Sequence, residues 1–159
     1  DTETIVLLVE RYMAAGLNLP EAVRETLKVI KGAHGVVVMS SRYPDQIVAA
    51  RMGSAGGVSI GLGKGGNYVA SDIPAILEHT RNLVFLESRQ MAVVTRDGVK
   101  VSTLEGEKVD YEVHNVGWDP ISAEKGAYRH FMQKETCTNT SSTTGHRRQL
   151  KQLSTRVYQ

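Results

Sequence analysis

A chain of 159 residues with 41% apolar and 23% charged residues has the make-up of one soluble globular domain with a real core. No apolar run approaches the roughly 18 residues needed to span a bilayer, and no basic-then-apolar leader opens the chain, so the expectation is a cytoplasmic protein without a membrane partner. The single cysteine, Cys137, excludes an internal disulfide framework and a multi-cysteine zinc site.

The net charge of +2 conceals an uneven distribution, because residues 136–159 hold Arg147, Arg148, Lys151 and Arg156 and no acid, which leaves the remainder slightly acidic. Four charges among many Ser and Thr, with no aromatic residue before Tyr158, are too thin a footprint for nucleic acid. A solvated, disordered tail is expected there.

In DTETIVLLVERYMAAG, the residues Ile5, Leu8, Val9, Tyr12 and Met13 recur at the spacing of one helical face. Asp1 or Thr2 suits the start of this helix and Gly16 its end. NLPEAVRETLKVIKG predicts a second helix, with Pro20 and Glu21 in its first turn, Gly32 beyond its last, and Val23, Leu27 and Ile30 on one side. The two should form a helical hairpin.

After Gly32 the pattern becomes one of short β-like runs: GVVVMSS, QIVAAR, VSIGL, NYVAS, LVFLE, MAVVT, VKVSTL and KVDYEVH. The stretches between them, RYPD, GSAGG, GKGG, ESRQ, RDG and EGE, are short enough only for antiparallel neighbours, since a parallel crossover takes a dozen residues or more. SDIPAILEHTR interrupts the series with a short helix, capped by Ser71 or Asp72 and carrying Pro74 in its first turn.

Gly61, Gly63 and Gly66 in IGLGKGGNYVAS match the G-x-G-x-x-G spacing of a dinucleotide loop. In that loop the glycines open a helix whose amide groups receive the pyrophosphate. Here the next residues are aromatic and β-branched, so a strand is expected, with GKGG as a hairpin turn whose glycines supply positive φ.

The remaining polar candidates have simpler readings. His34, His79, His114, His130 and His146 are scattered without a metal-ligand spacing, Ser71-Asp72 has no G-x-S-x-G elbow, and Cys137 has no adjacent histidine or helix start to activate it. No metal and no cofactor are expected.

Taken together, DTETIVLLVE, VIKGAHGVVVMSSRYPDQIVAARMGS, IGLGKGGNYVASDIPAILEHTR, TRDGV and above all EKGAYRHFMQKE resemble, in collinear order over residues 1–135, the glutamine:fructose-6-phosphate aminotransferase family. The matching part resembles the C-terminal half of that family's glutaminase domain, a glutamine amidotransferase of the N-terminal-nucleophile class. YRHFMQKE resembles the join to the sugar-phosphate isomerase domain.

The resemblance implies an α+β fold, part of a four-layer αββα sandwich with largely antiparallel sheets. It implies an activity in which an N-terminal cysteine attacks the amide of glutamine, its own α-amine acting as base, and the ammonia passes through a closed channel to fructose 6-phosphate to make glucosamine 6-phosphate. It implies a homo-oligomeric full-length enzyme, with the dimer contacts mainly in the isomerase part. One of the family's glutamine-binding residues maps onto this sequence by motif: Asp1, whose carboxylate resembles the group that holds the α-amino end of glutamine.

The family's catalytic cysteine, its His-Thr-Arg-Trp segment and its Asn-Gly oxyanion element map upstream of Asp1, so no catalytic residue is assigned within these 159 residues. The polypeptide alone is expected to be inactive, with weak glutamine binding or none, and with fructose 6-phosphate bound only through the isomerase part. The alternative is a non-catalytic binding or scaffold module that retains the glutaminase half-fold. RMGSAGGVSIGLG is about two residues longer than the family pattern and is expected to lengthen a surface loop. Beyond KE the family pattern continues Ile, Tyr or His, Glu-Gln-Pro, whereas this chain reads Thr136-Cys137-Thr138-Asn139. Codons for those residues, shifted by one base, permit a continuation close to the family's, so residues 136–159 are expected to be a disordered or frameshifted tail.

Overall fold

The computed structural model describes residues 2–54 and 56–117. Within that span the chain runs α1 (Thr2–Ala14), α2 (Leu19–Val29), β1 (His34–Ser40), β2 (Tyr43–Met52), β3 (Ser59–Leu62), β4 (Asn67–Ala70), α3 (Pro74–Leu77), β5 (Asn82–Phe85), β6 (Gln90–Thr95), β7 (Val99–Thr103), β8 (Lys108–Val109) and β9 (His114–Asn115). The strands form a five-stranded sheet, ordered β1-β2-β6-β7-β8, and a four-stranded sheet, ordered β4-β3-β5-β9. Every strand pair is antiparallel, as the short connections require.

The helical hairpin forms for local reasons. α1 ends in a Schellman motif, with Gly16 at φ 102, its N–H donating to Met13 O and the Leu17 N–H donating to Tyr12 O, while Leu17 and Tyr12 both pack onto the helix-side core. α2 begins with a reciprocal capping box in which Glu21 N–H donates to Asn18 Oδ1 at 3.0 Å and Asn18 N–H to Glu21 Oε2 at 3.1 Å. The buried face of α2 is wider than Val23, Leu27 and Ile30, since Leu19, Ala22 and Thr26 are buried as well. Thr26 is tolerated because its hydroxyl donates to the Ala22 carbonyl at 2.8 Å, so the buried group keeps a partner.

Strand alternation then sorts the larger sheet's residues onto two sides. Val36, Val38, Val48, Ala50, Met91 and Val93 face α1 and α2, meeting Val9, Leu19, Val23 and Leu27. Ala49, Ala92, Val94, Val99 and Val101 face the other way, onto Val58, Ile60, Val84 and Leu86 of the smaller sheet and its approaches. The Ala49–Ala92 cross-strand pair places two small residues on this inter-sheet side. The outer side of the smaller sheet is covered by α3, because a Cβ built on Gly61 would lie 2.4 Å from Ile76 Cγ2 and 2.7 Å from Thr80 Cγ2. The layers are therefore helix, sheet, sheet, helix. The α+β, four-layer expectation is met.

Three local expectations are corrected. RYPD is not a turn: the reversal falls at Ser41 and Arg42, and Tyr43, Pro44 and Asp45 already belong to β2, with a register shift at Met39/Ser40 absorbing the difference. KVDYEVH is not one strand: β8 pairs with β7 in the larger sheet and β9 with β5 in the smaller, so the segment crosses between sheets. α3 is capped by neither Ser71 nor Asp72. Ile73 occupies the cap position in a helical conformation without a side-chain cap, while the Asp72 carboxylate accepts from the Ile73 N–H at 2.8 Å.

Candidate functional site

The glycine-rich stretch is where a nucleotide site would lie, and its geometry gives it another role. β4 follows Gly66 directly, so no helix start is aimed at a phosphate. The Gly63 N–H donates to Gly66 O at 3.2 Å and closes a β3–β4 hairpin. The expectation of positive φ fails, since none of Gly61, Gly63, Gly65 and Gly66 lies in the left-handed region. The requirement at Gly61 and Gly63 is space: a Cβ on Gly63 would lie 2.7 Å from Gly66 O and 2.9 Å from Tyr68 Cε2, and the Gly61 clash with α3 is tighter still.

Around that hairpin the polar groups hold the fold. Tyr68 and His79 stack with ring centroids 4.5 Å apart and planes 7° from parallel. Thr80 donates to Leu62 O at 2.6 Å and accepts from the Asn82 N–H at 3.2 Å. Asn67 Nδ2 donates to Thr95 O at 2.8 Å, tying β4 to the end of β6 in the other sheet. Arg51, mostly buried in β2, sends Nη1 to Leu86 O at 3.0 Å and makes a second link between the sheets. Sequence reasoning missed Asn67 and Arg51 because strand patterning reports which side a residue faces, not what lies across the layer.

Neither of the other histidines within the described residues sits in a catalytic pair. His34 Nε2 lies 2.9 Å from Lys31 O, and His114 stands 4.0 Å from Glu112 Oε2 with its ring tilted against Phe85. Among the described residues no group of three or more His, Cys, Asp and Glu could hold a metal ion. Open recesses lie along β7–β8, lined by Lys100, Lys108, Asp110 and Tyr111 with apolar neighbours, and at the start of β2, lined by Arg42–Gln46 and Thr95. Neither joins a nucleophile to a base.

Among the described residues one carboxyl is shifted from its ordinary range. Glu105 is held low chiefly by the hydrogen bond from the Arg89 guanidinium, helped by its own backbone N–H. Arg89 itself adopts φ 65 in the turn before β6, where its N–H donates to Arg51 O at 2.8 Å and its carbonyl accepts from the Leu104 N–H at 3.1 Å. The pair is exposed and fastens two turns of the larger sheet. It is structural.

The residue singled out for glutamine, Asp1, lies outside the described residues, as do Cys137, His130, His146, the YRHFMQKE segment and the tail from 136 to 159. α1 begins at Thr2, the residue that follows Asp1.

No protein-family model matches the chain. It is 46% identical over 135 residues to the glutamine–fructose-6-phosphate aminotransferase (isomerizing) of Haemophilus influenzae, and 42% identical over the same length to that of Methanothermobacter thermautotrophicus. Against that of Chlorobaculum tepidum the figure is 43% over 137 residues. Each comparison covers 85% of this chain, and the chain spans 22% of the length of these curated relatives. Among solved structures, the glutamine phosphoribosylpyrophosphate (PRPP) amidotransferase of B. subtilis, complexed with ADP and GMP, superposes with a TM-score of 0.56 at 23% identity, over 65% of this chain and 22% of that one. The superposition shows that the two chains share a fold over that part.

Proposed function

Since the chain is a homologue of one segment of the glutamine–fructose-6-phosphate aminotransferases, we propose that it is the part of such an enzyme that handles glutamine, corresponding to the C-terminal half of the glutaminase domain. One observation carries this reading. The sequence relatives and the structural relative are named for the same nitrogen donor, glutamine, and for different acceptors, fructose 6-phosphate and phosphoribosylpyrophosphate. A fold common to both belongs with the donor they share.

In this proposal the whole enzyme, in the cytoplasm, releases ammonia from glutamine and transfers it to fructose 6-phosphate. The described residues supply the framework: two sheets tied by Asn67 and Arg51 and backed by the helical hairpin. Asp1 supplies a carboxylate for the glutamine α-ammonium, a charge-assisted contact stronger than a neutral hydrogen bond. Its chain position immediately before α1 supports the assignment, because a helix start favours a carboxylate that stays ionised. The nucleophile and the sugar-phosphate site are assigned to parts of the enzyme beyond these residues. The division at residue 135 belongs to the same proposal, with residues 136–159 read from a shifted frame. Sequencing the coding DNA checks that division, and it fails if no alternative frame restores the pattern after KE.

A chimera tests the function. Residues 1–135 replace the matching segment of the Haemophilus influenzae aminotransferase, and glutamine hydrolysis and glucosamine 6-phosphate formation are measured. Retained activity with a KM for glutamine raised at least tenfold by Asp1→Asn is the expected result. A folded chimera without glutaminase activity, or an Asp1→Asn variant with unchanged KM, overturns the reading.

A further inference from the structure

Three cations gather on one side of the larger sheet where it ends at β7 and β8. Lys100 and Ser102 in β7 pair with Val93 and Met91, both packed in the helix-side core, so they stand on the side that faces α1 and α2. Lys108 in β8 pairs with Ser102 and shares that side. Arg24 reaches the same place from α2, with Nη2 3.5 Å from Ser102 Oγ, while its Cζ and Nη1 each lie 3.8 Å from the position of a Cβ on Gly106 in the β7–β8 turn. Lys100 is the diagonal neighbour of Lys108, roughly 7–8 Å away between Cα atoms, which long side chains bridge. One hydroxyl therefore sits among a guanidinium and two ammonium groups.

The carboxylates nearby are committed elsewhere. Glu25 is paired with Lys28, Glu21 closes the α2 capping box, and Glu105 is held by Arg89. Among the described residues Arg24 and Lys100 form no ion pair, and Lys108 meets the Asp110 carboxylate at 3.9 Å with side chains 85% and 100% exposed, where solvent screens most of the attraction. Arg24 Nε is enclosed by protein without a hydrogen-bond partner, so packing holds the guanidinium in place and its Nη atoms are left for a ligand. Like charges on neighbouring strands repel, and an anion between them removes that cost.

We propose that Arg24, Lys100, Ser102 and Lys108 form a binding site for a phosphate group, free or as a monoester. The planar guanidinium suits phosphate oxygens, the Ser102 hydroxyl donates to a further oxygen, and the two ammonium groups balance the remaining charge. The 3.5 Å contact between Arg24 and Ser102 is long for a hydrogen bond, so both groups can turn to an anion at little loss. The open recess along β7–β8 starts at Lys100 and Lys108 and continues past Asp110 and Tyr111. It gives the organic part of a monoester room and, in the Asp110 carboxylate, an acceptor for its hydroxyl groups. The inference stands apart from the assignment to glutamine chemistry.

The test is an amide NMR titration of the 159-residue chain with inorganic phosphate at fixed ionic strength. Saturable shifts centred on Arg24, Lys100, Ser102 and Lys108 are expected, with a dissociation constant of about 1 mM or tighter, and neither acetate nor chloride should reproduce them. Arg24→Lys, which keeps the charge and loses the fork, and Ser102→Ala should each weaken phosphate about fivefold or more, with circular dichroism confirming that the variants fold. Lys31→Gln, beyond the end of α2, should leave binding unchanged. Thermal unfolding gives a second reading, since phosphate should raise the midpoint of the parent chain more than that of Lys100→Gln. Glucose 6-phosphate separates the two sources: binding tighter than inorganic phosphate assigns the site to a monoester, and equal or weaker binding assigns it to the free anion. Shifts that do not saturate, an equal response to chloride, or Arg24→Lys and Ser102→Ala binding phosphate like the parent overturn the proposal.

Discussion

Gly61 shows how much one missing methyl group sustains in this chain. Its backbone is ordinary extended strand, where alanine would by itself reduce the freedom of the unfolded chain and stabilise the fold by about 0.4–1 kcal/mol. The 2.4 Å and 2.7 Å approaches of Ile76 and Thr80 reverse the sign, because α3 would have to move off the sheet. Gly61→Ala is expected to cost about 1–3 kcal/mol in urea unfolding. Gly98→Ala, where nothing lies within 4 Å of the new methyl, should be neutral or slightly stabilising. Glu105 offers a different test at the same scale. A carboxyl whose folded pKa is depressed contributes stability above its unfolded pKa and loses that contribution as pH falls through the folded value. Its NMR titration midpoint should lie below the ordinary carboxylate range and return toward it in Arg89→Gln, since the guanidinium hydrogen bond is the largest cause.

Among the elements, α2 buries Leu19, Ala22, Val23 and Leu27 in the helix-side core. Its capping box satisfies backbone donors that a helix start otherwise leaves open, and Asn18→Ala should cost about 0.5–2 kcal/mol of unfolding free energy. Leu27, 1% exposed at the centre of the helix-side core, should cost about 2–5 kcal/mol as Leu27→Ala, with the spread set by how far Val48 and Leu19 can close the cavity. Both are measured in the same denaturant titrations, and an Asn18→Ala loss larger than that of Leu27→Ala would contradict the packing described. The extents of α1 and α2 were legible from periodicity and end signals, because those are local forces. The start of β2 and the split of β8 from β9 were not, because Pro44 is compatible with the first residues of a strand and the assignment to one sheet or the other depends on partners distant in sequence.

For the molecule as a whole, the polypeptide of these 159 residues, purified and assayed by itself, is expected to show no glutamine hydrolysis above a buffer control. In the proposed reading no residue from 1 to 135 has a catalytic role, and the sole cysteine of these 159 residues, Cys137, lies beyond them. Turnover that co-purifies with the chain through successive columns would contradict this. The family resemblance was readable from collinear stretches such as IGLGKGGNYVASD, in which Gly61 and Gly63 leave no room for a larger residue. The sequence by itself determined the helical hairpin, the antiparallel pairing and the strand after Gly66, all of which follow from local propensity and connection length. Only the tertiary structure decided that Gly61 and Gly63 are glycines for want of room and that Asn67 and Arg51 bind the sheets together. Those features depend on which surfaces meet across layers, and residues brought together from tens of positions apart leave no periodic trace in the chain.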